Sequence, residues 1–187
     1  MILIKILQII QNLKLHYIAS DHATLGKGYG ECEILKYAVN NSRFLKDADQ
    51  IIKITGRLVI QNLQNLLSHA NNMSSVYCDS DIHFSFPRSY LFFCPPKFLI
   101  DEIFPRHNMM NDSEGVYFER VLGMAIKEWR TKKGGFHQFV YPICIEGHPG
   151  ETIVPYKLPG ITRYLIIMLK YIITEIIGLR YKVICIS

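Results

Sequence analysis

Three short stretches of this chain combine residue types that handle phosphates, sugars and protons. The first is Gly26-Lys27-Gly28-Tyr29-Gly30-Glu31. Glycines in a turn that opens a helix let a phosphate or sugar approach the backbone, and the unbonded amides of the first helical turn are donors ready for an anion. The spacing is neither a dinucleotide fingerprint nor a P-loop, because Lys27 lies inside the turn rather than at the helix start. A tight loop that needs positive φ accounts for the glycines equally well. The second stretch, Lys53-Ile54-Thr55-Gly56-Arg57, closes a β-branched run that begins at Gln50. Ligands gather at the carboxyl ends of strands in open α/β sheets. There Arg57 offers a fork of donors to a diphosphate, Lys53 a point charge, and Thr55 with the Gly56 amide contacts for a sugar hydroxyl. The alternative is an ordinary strand end with a structural arginine. The third stretch is Asp112-Ser113-Glu114, followed by Glu119-Arg120 on a helical pattern. Glu119 sits among Tyr117, Phe118 and Val121, an apolar setting in which a carboxylate can serve as general base. Asp112 and Glu114 face the competing role of complementing a helix dipole.

Asp79-Ser80-Asp81 has the DxD form that holds a divalent cation against a nucleotide diphosphate, although so short a pattern also arises by chance. A bound Mn2+ or Mg2+ would rest on these two carboxylates. The seven histidines form no HxxxH or HxH pair; His148, in the turn Glu146-Gly147-His148-Pro149-Gly150, is the one placed to reach a pocket. No serine lies in GxSxG. The five cysteines, at 32, 78, 94, 144 and 185, form no CxxC, which argues for reduced intracellular thiols over a disulfide framework or a zinc site.

The elements that must position these residues are legible in part. Leu15–Ala19 reads as a short strand running into the glycine turn, and residues 31–45 repeat apolar positions at helical spacing through Ile34, Leu35, Ala38 and Val39. Gln50–Ile54 is a buried strand, Leu58–Leu67 a helix, and Val76–Phe86 a loosely alternating segment that meets Pro87. Tyr90–Cys94 is a strand stopped by Pro95-Pro96, residues 115–130 carry a strong helical period, and Phe139–Ile145 is a last strand. Strands interleaved with helices give an α/β layer structure.

With 187 residues the chain makes one domain with a sizeable core, and 49% hydrophobic against 20% charged residues excludes a disordered or collagen-like polymer. A formal charge of +5 favours an anionic partner but is too small to indicate nucleic acid. The apolar N-terminus is broken by Lys5, Gln8, Gln11 and Asn12 and lacks a small-residue cleavage site, so export is not expected. Tyr164–Leu179 is the most apolar part, but Lys170, Thr174 and Glu175 keep its runs below the roughly 20 residues of a spanning helix. It suits a helix packed on the domain or one lying at a membrane surface. The expected organisation is an α/β domain over 1–159 and an apolar, basic C-terminal helix and tail over 160–187.

GKGYGE at 26–31, DQIIKITGR at 49–57, DSEGVYFERVLGMAI at 112–126 and IEGHPG at 145–150 together resemble bacterial glycosyltransferase-like proteins of the GT-A fold, the nucleotide-diphospho-sugar transferase fold, of the kind found among capsule and lipopolysaccharide genes. The resemblance covers about residues 15–150. It implies a GT-A-like sheet flanked by helices, a nucleotide-sugar donor and a glycan or lipid-linked acceptor. It also implies a cytoplasmic protein at the inner face of the membrane. Gly26, Lys27, Gly28, Gly30, Lys53, Thr55, Gly56 and Arg57 would then hold the donor, Glu119 would be the base, and Asp112, Glu114 and His148 would border the acceptor pocket. Two departures accompany it. The IKITGR strand end has no acidic pair, so either its cations replace the metal or Asp79 and Asp81 supply the carboxylates. Residues 1–14 lack the usual base-binding strand, as in a truncated or degenerate member, and a catalytically silent relative acting as a binding or membrane module is the alternative.

Overall fold

In a computed structural model, residues 25–146 except 57, 82 and 133 are described, together with 165, 169 and 172. The first helix, α1 (Lys27–Asn41), opens at Gly26, whose φ of 104° only glycine adopts readily. It buries Tyr29, Cys32 and Val39 and is followed by the single turn α2 (Arg43–Lys46). The helix thus begins inside the glycine motif, four residues ahead of the apolar period that signals it, because the glycines leave no side chains to pattern. The expected strand Leu15–Ala19 and residues 1–14 lie outside the described residues.

Four strands form the main sheet in the order β1 (Ile51–Ile54), β4 (Leu91–Cys94), β3 (Ser75–Cys78) and β5 (Gly135–His137). β4 runs antiparallel to both β1 and β3, whereas β5 is parallel to β3. The carboxyl ends of β1, β3 and β5 therefore share one edge, where β4 begins. The register aligns Lys53, Phe92 and Cys78 across neighbouring strands, and hence on one face. That face carries Val76, Phe92 and Cys94 against α1 and the long helix α5 (Phe118–Thr131), which presents Phe118, Leu122 and Ile126. The opposite face carries Tyr77, Leu91 and Phe93 against Leu66 and Ala70, at and beyond α3 (Leu63–His69). The architecture is a small mixed sheet with helices on both faces, an α/β arrangement.

Several elements differ from their sequence signals. Leu58–Leu67 is not one helix: Val59–Ile60 forms strand β2, which pairs with β6 (Ile145–Glu146), and α3 starts only at Leu63. Asn62 sits at the change, donating to the Pro142 carbonyl at 2.8 Å and accepting from the Cys144 amide at 2.8 Å. The apolar run 139–145 is correspondingly strand only at its end, its middle being held by that side chain. The strand from Val76 stops at Cys78, because the carboxylate of Asp81 gathers the amides of His83, Ser85 and Phe86 and curls the chain into a loop. A helical run over 96–109 carries no clear sequence period. It opens with α4 (Pro96–Phe98), widens to a π turn at Leu99–Ile103 and tightens to a 3-10 turn at Phe104–Met109. Pro105, which has no amide hydrogen, follows the widened turn, in which the Phe104 amide bonds Leu99.

Two devices fasten this run and the loop to α5. Glu102 is fully buried, and its carboxylate accepts from Arg106 at 3.1 Å and from Lys132, just past α5, at 2.8 Å. Gly123 lets the Phe84 carbonyl come so close that an added Cβ would stand 2.1 Å from its oxygen. Gly123→Ala is therefore expected to lower stability by about 1–3 kcal/mol, read from urea unfolding. The hydrogen bond to Glu102 raises the pKa of Lys132 above its ordinary 10.5, against the opposing effect of desolvation. Its contribution to stability is complete below pH 10.5 and fades as pH rises through the raised folded value, since the folded state then holds more protons than the unfolded. Lys132→Met should flatten that alkaline decline in unfolding curves recorded at successive pH.

Candidate functional site

The carboxyl edge of β1 is built around one buried cation. Lys53 is the third residue of a strand whose alternation turns Ile51 and Lys53 into the α1/α5 side, so an ammonium is carried into apolar surroundings. Only 7% of Lys53 is exposed. A charge so placed must be paired. Glu31, one turn into α1, forms an ion pair with it. Lys53 Nζ also donates to the Ser89 carbonyl at 2.5 Å and to Thr55 Oγ1 at 3.1 Å. The rings of Phe92 and Phe118, each centred 5.9 Å from Nζ, supply their π faces to the same charge.

Ser89 links this cation to a second carboxylate. Its carbonyl accepts a hydrogen bond from Lys53 Nζ, while its hydroxyl donates to Glu119 Oε1 at 2.5 Å. Glu119 lies in the first turn of α5, half-buried, where the helix dipole favours negative charge. One oxygen is thus oriented by Ser89 on a helix fixed by the core, a suitable arrangement for accepting a proton from a hydroxyl brought to it.

The glycine turn completes the neighbourhood. Asp112 Oδ2 accepts from the Lys27 amide at 2.7 Å, so the anion at the start of α1 is the chain's own carboxylate. Gly26 and Gly28 make room for it: a Cβ on Gly26 would meet Asp112 Cγ at 2.3 Å, and one on Gly28 would stand 2.8 Å from the Phe118 amide nitrogen. Among the described residues, Oδ1 of Asp112 is buried without a hydrogen-bond partner. Asp112 therefore faces α1 rather than standing as an open acceptor group, and Glu114, in the same short turn (Asp112–Glu114), is exposed. Gly30 and Gly56 have open space where a Cβ would be. Thr55 follows β1, its amide bonded to the Tyr90 carbonyl at 3.0 Å. Arg57 and His148 lie outside the described residues.

The expected roles shift accordingly. Lys53 faces inward as the partner of Glu31, not outward as a phosphate contact. Asp79 and Asp81 stand at the carboxyl end of β3, but Asp81 accepts from three backbone amides, at 2.8, 3.0 and 3.1 Å. Slight burial pushes its pKa up, and these bonds outweigh that and hold it below the ordinary carboxylate value. A carboxylate spent on its own loop does not fit a cation cradle, and among the described residues no three His, Cys, Asp or Glu side chains gather to hold a metal ion. Three buried thiols are equally unsuited to attack: burial pushes Cys32 up to about 12 and raises Cys78 and Cys94 as well.

Two members of the cluster carry weak sequence signals. Glu31 ends the glycine motif yet reads as a helix-start acid, and Ser89 precedes a strand with nothing to mark it. A buried-facing lysine in a β-branched strand was the available clue, since such a charge demands an acidic partner. No protein-family model, curated protein or solved structure matches the chain.

Lys53→Met should leave Glu31 without its counter-charge and cost about 2–3 kcal/mol, less than a fully buried pair because Glu31 retains some solvent. Adding Glu31→Gln should recover part of that loss. A coupling energy of at least about 1 kcal/mol in the double-mutant cycle is the expected result of chemical denaturation.

Proposed function

We propose that the chain is a GT-A-like glycosyltransferase that moves a sugar from a nucleotide diphosphate to a glycan or lipid-linked acceptor in surface polysaccharide synthesis. One observation carries this reading. Three of the four stretches on which the glycosyltransferase resemblance rests, distant in sequence, meet near the carboxyl end of β1, with Ser89 joining them: Glu31 on Lys53, Lys53 on Ser89, Ser89 on Glu119, and Lys27 on Asp112. That edge of the sheet collects the carboxyl ends of the like-directed strands, where ligands of α/β sheets bind.

In an inverting transfer, Glu119 would accept the proton of the acceptor hydroxyl as its oxygen bonds the anomeric carbon and the bond to the nucleotide phosphate breaks. Ser89 would keep the accepting oxygen aimed. With Lys53 spent on Glu31, the leaving diphosphate would draw its positive charge from Arg57. The glycine loop would shape the donor pocket from behind Asp112.

A second reading has a specific observation in its favour: the ammonium expected at the donor phosphates is already neutralised by Glu31. This is the arrangement of a catalytically silent relative that keeps the fold. Thermal shift against UDP, GDP, CMP, dTDP and their common sugars, with and without manganese, separates the two. The glycosyltransferase reading expects one nucleotide family to raise the melting temperature, because only a ligand of the folded state stabilises it. Glu119→Gln should keep that shift while transfer to acceptor falls by about a hundredfold or more. A folded sample that no nucleotide stabilises would overturn the enzyme in favour of the silent relative.

A further inference from the structure

The chain between β3 and β4 is fixed more firmly than a connection alone requires. The Asp81 carboxylate accepts from the amides of His83, Ser85 and Phe86, and the Phe84 amide donates to the Asp81 carbonyl at 3.2 Å. Phe84 has a φ of 54° and is the one residue other than glycine with positive φ among the described residues. A phenylalanine keeps that conformation only where its surroundings over-determine it. Here they do. Its ring is 5% exposed, meets Phe136 edge to face at 4.8 Å, and has the Arg130 guanidinium 4.8 Å from its centre. At the far end, the Arg88 amide donates to the Asp79 carbonyl at 2.7 Å.

This rigidity sets a register against α5. The Phe84 carbonyl and Pro87 both pack on Gly123, and Ser89 meets Glu119. Glu119 and Gly123 are four residues apart, a rise of about 6 Å on a helix. Pro87 and Ser89 are two residues apart, about 6.6 Å in an extended chain. The spacings match, so the segment runs along the helix. Pro87 and Ser89 are buried while Phe86 and Arg88 are exposed, the alternation of an extended strap with one face on α5. A slip of one residue would turn Ser89 away and take its hydroxyl from Glu119.

We propose that residues 83–89 form a preorganised strap whose register on α5 aims Glu119, with Asp81 and Phe84 as positioning residues that act through Ser89. The catalytic consequence rests on Glu119 being the general base, whereas the contact itself is measurable without any transfer.

The test begins with the coupling between Ser89 and Glu119, read from urea unfolding of the full chain carrying Ser89→Ala, Glu119→Gln or both. In an Asp81→Ala background that coupling should fall by about half or more. Asp81→Asn, which keeps one accepting oxygen, should lose less. In transfer assays Asp81→Ala should lower kcat by about tenfold or more, with donor KM and the nucleotide thermal shift unchanged. Adding Ser89→Ala should cause little further loss, since both changes act on the same contact. A residue that only stabilised the fold would move neither the coupling nor the kcat of the folded enzyme. Should Asp81→Ala not fold, as judged by circular dichroism, Phe84→Leu carries both measurements, because it keeps an apolar side chain in the same place. A coupling unchanged in these backgrounds overturns the proposal. So does loss of a manganese-dependent nucleotide shift in Asp81→Ala, which would make Asp81 a metal ligand. If no nucleotide binds and no sugar is transferred, the enzyme reading falls, and the coupling still decides whether the strap aims Glu119.

Discussion

A buried ammonium cannot stay charged without a counter-charge, and this constraint at Lys53 organises much of the molecule. The strand turns the side chain into the α1/α5 face, the ion pair with Glu31 fixes how α1 lies across β1, and the bond to the Ser89 carbonyl fixes the approach to β4. Through Ser89 the same requirement reaches Glu119 and the first turn of α5. Four segments are thereby held by one positive charge.

Asp112 does at the start of α1 what Glu31 does one turn further in. A helix start exposes donors that need an acceptor, and the carboxylate of Asp112 supplies one from a turn distant in sequence. Gly26 and Gly28 are required by this approach, since side chains there would collide with Asp112 and with the backbone of α5. The motif is thus explained first as the seam between α1 and the start of α5. On the proposed reading, the same seam becomes the wall of a donor pocket. His107 adds to it from the run over 96–109: its Nε2 lies 3.1 Å from the Tyr29 carbonyl, which accepts its hydrogen bond, and its ring lies tilted against that tyrosine.

The strands Ile51–Ile54 and Leu91–Cys94 are legible as short apolar runs of a sheet covered on both faces, and the helix from Phe118 by an apolar period turned towards one of those faces. The run over 96–109 is not, since a π turn followed by a 3-10 turn has no constant period to display. Val59–Ile60 reads as helix because two residues are too few to show alternation, and only their partner at 145–146 makes them a strand. At the site, residue types point correctly to the neighbourhood but not to the pairings. Lys53 is as plausible facing outward to a phosphate as inward to Glu31 until the pleat of β1 is placed against α1. Ser89 has no signal at all, because its role depends on where two distant segments meet.

The pairing of β1 with β4 also governs how the chain reaches its native state. Ile51 finds its partner Cys94, and Lys53 its partner Phe92, only after the whole of the intervening segment has been made. Closing so long a loop is entropically slow, so on the ribosome the apolar stretch Ile51–Ile54 must wait unpaired. In that interval the lysine at its centre acts as a gatekeeper, a charge in the middle of an aggregation-prone β-branched run that discourages association with other nascent chains. The residue that later sits at the junction of four segments is the one that keeps the strand apart from its neighbours until they exist.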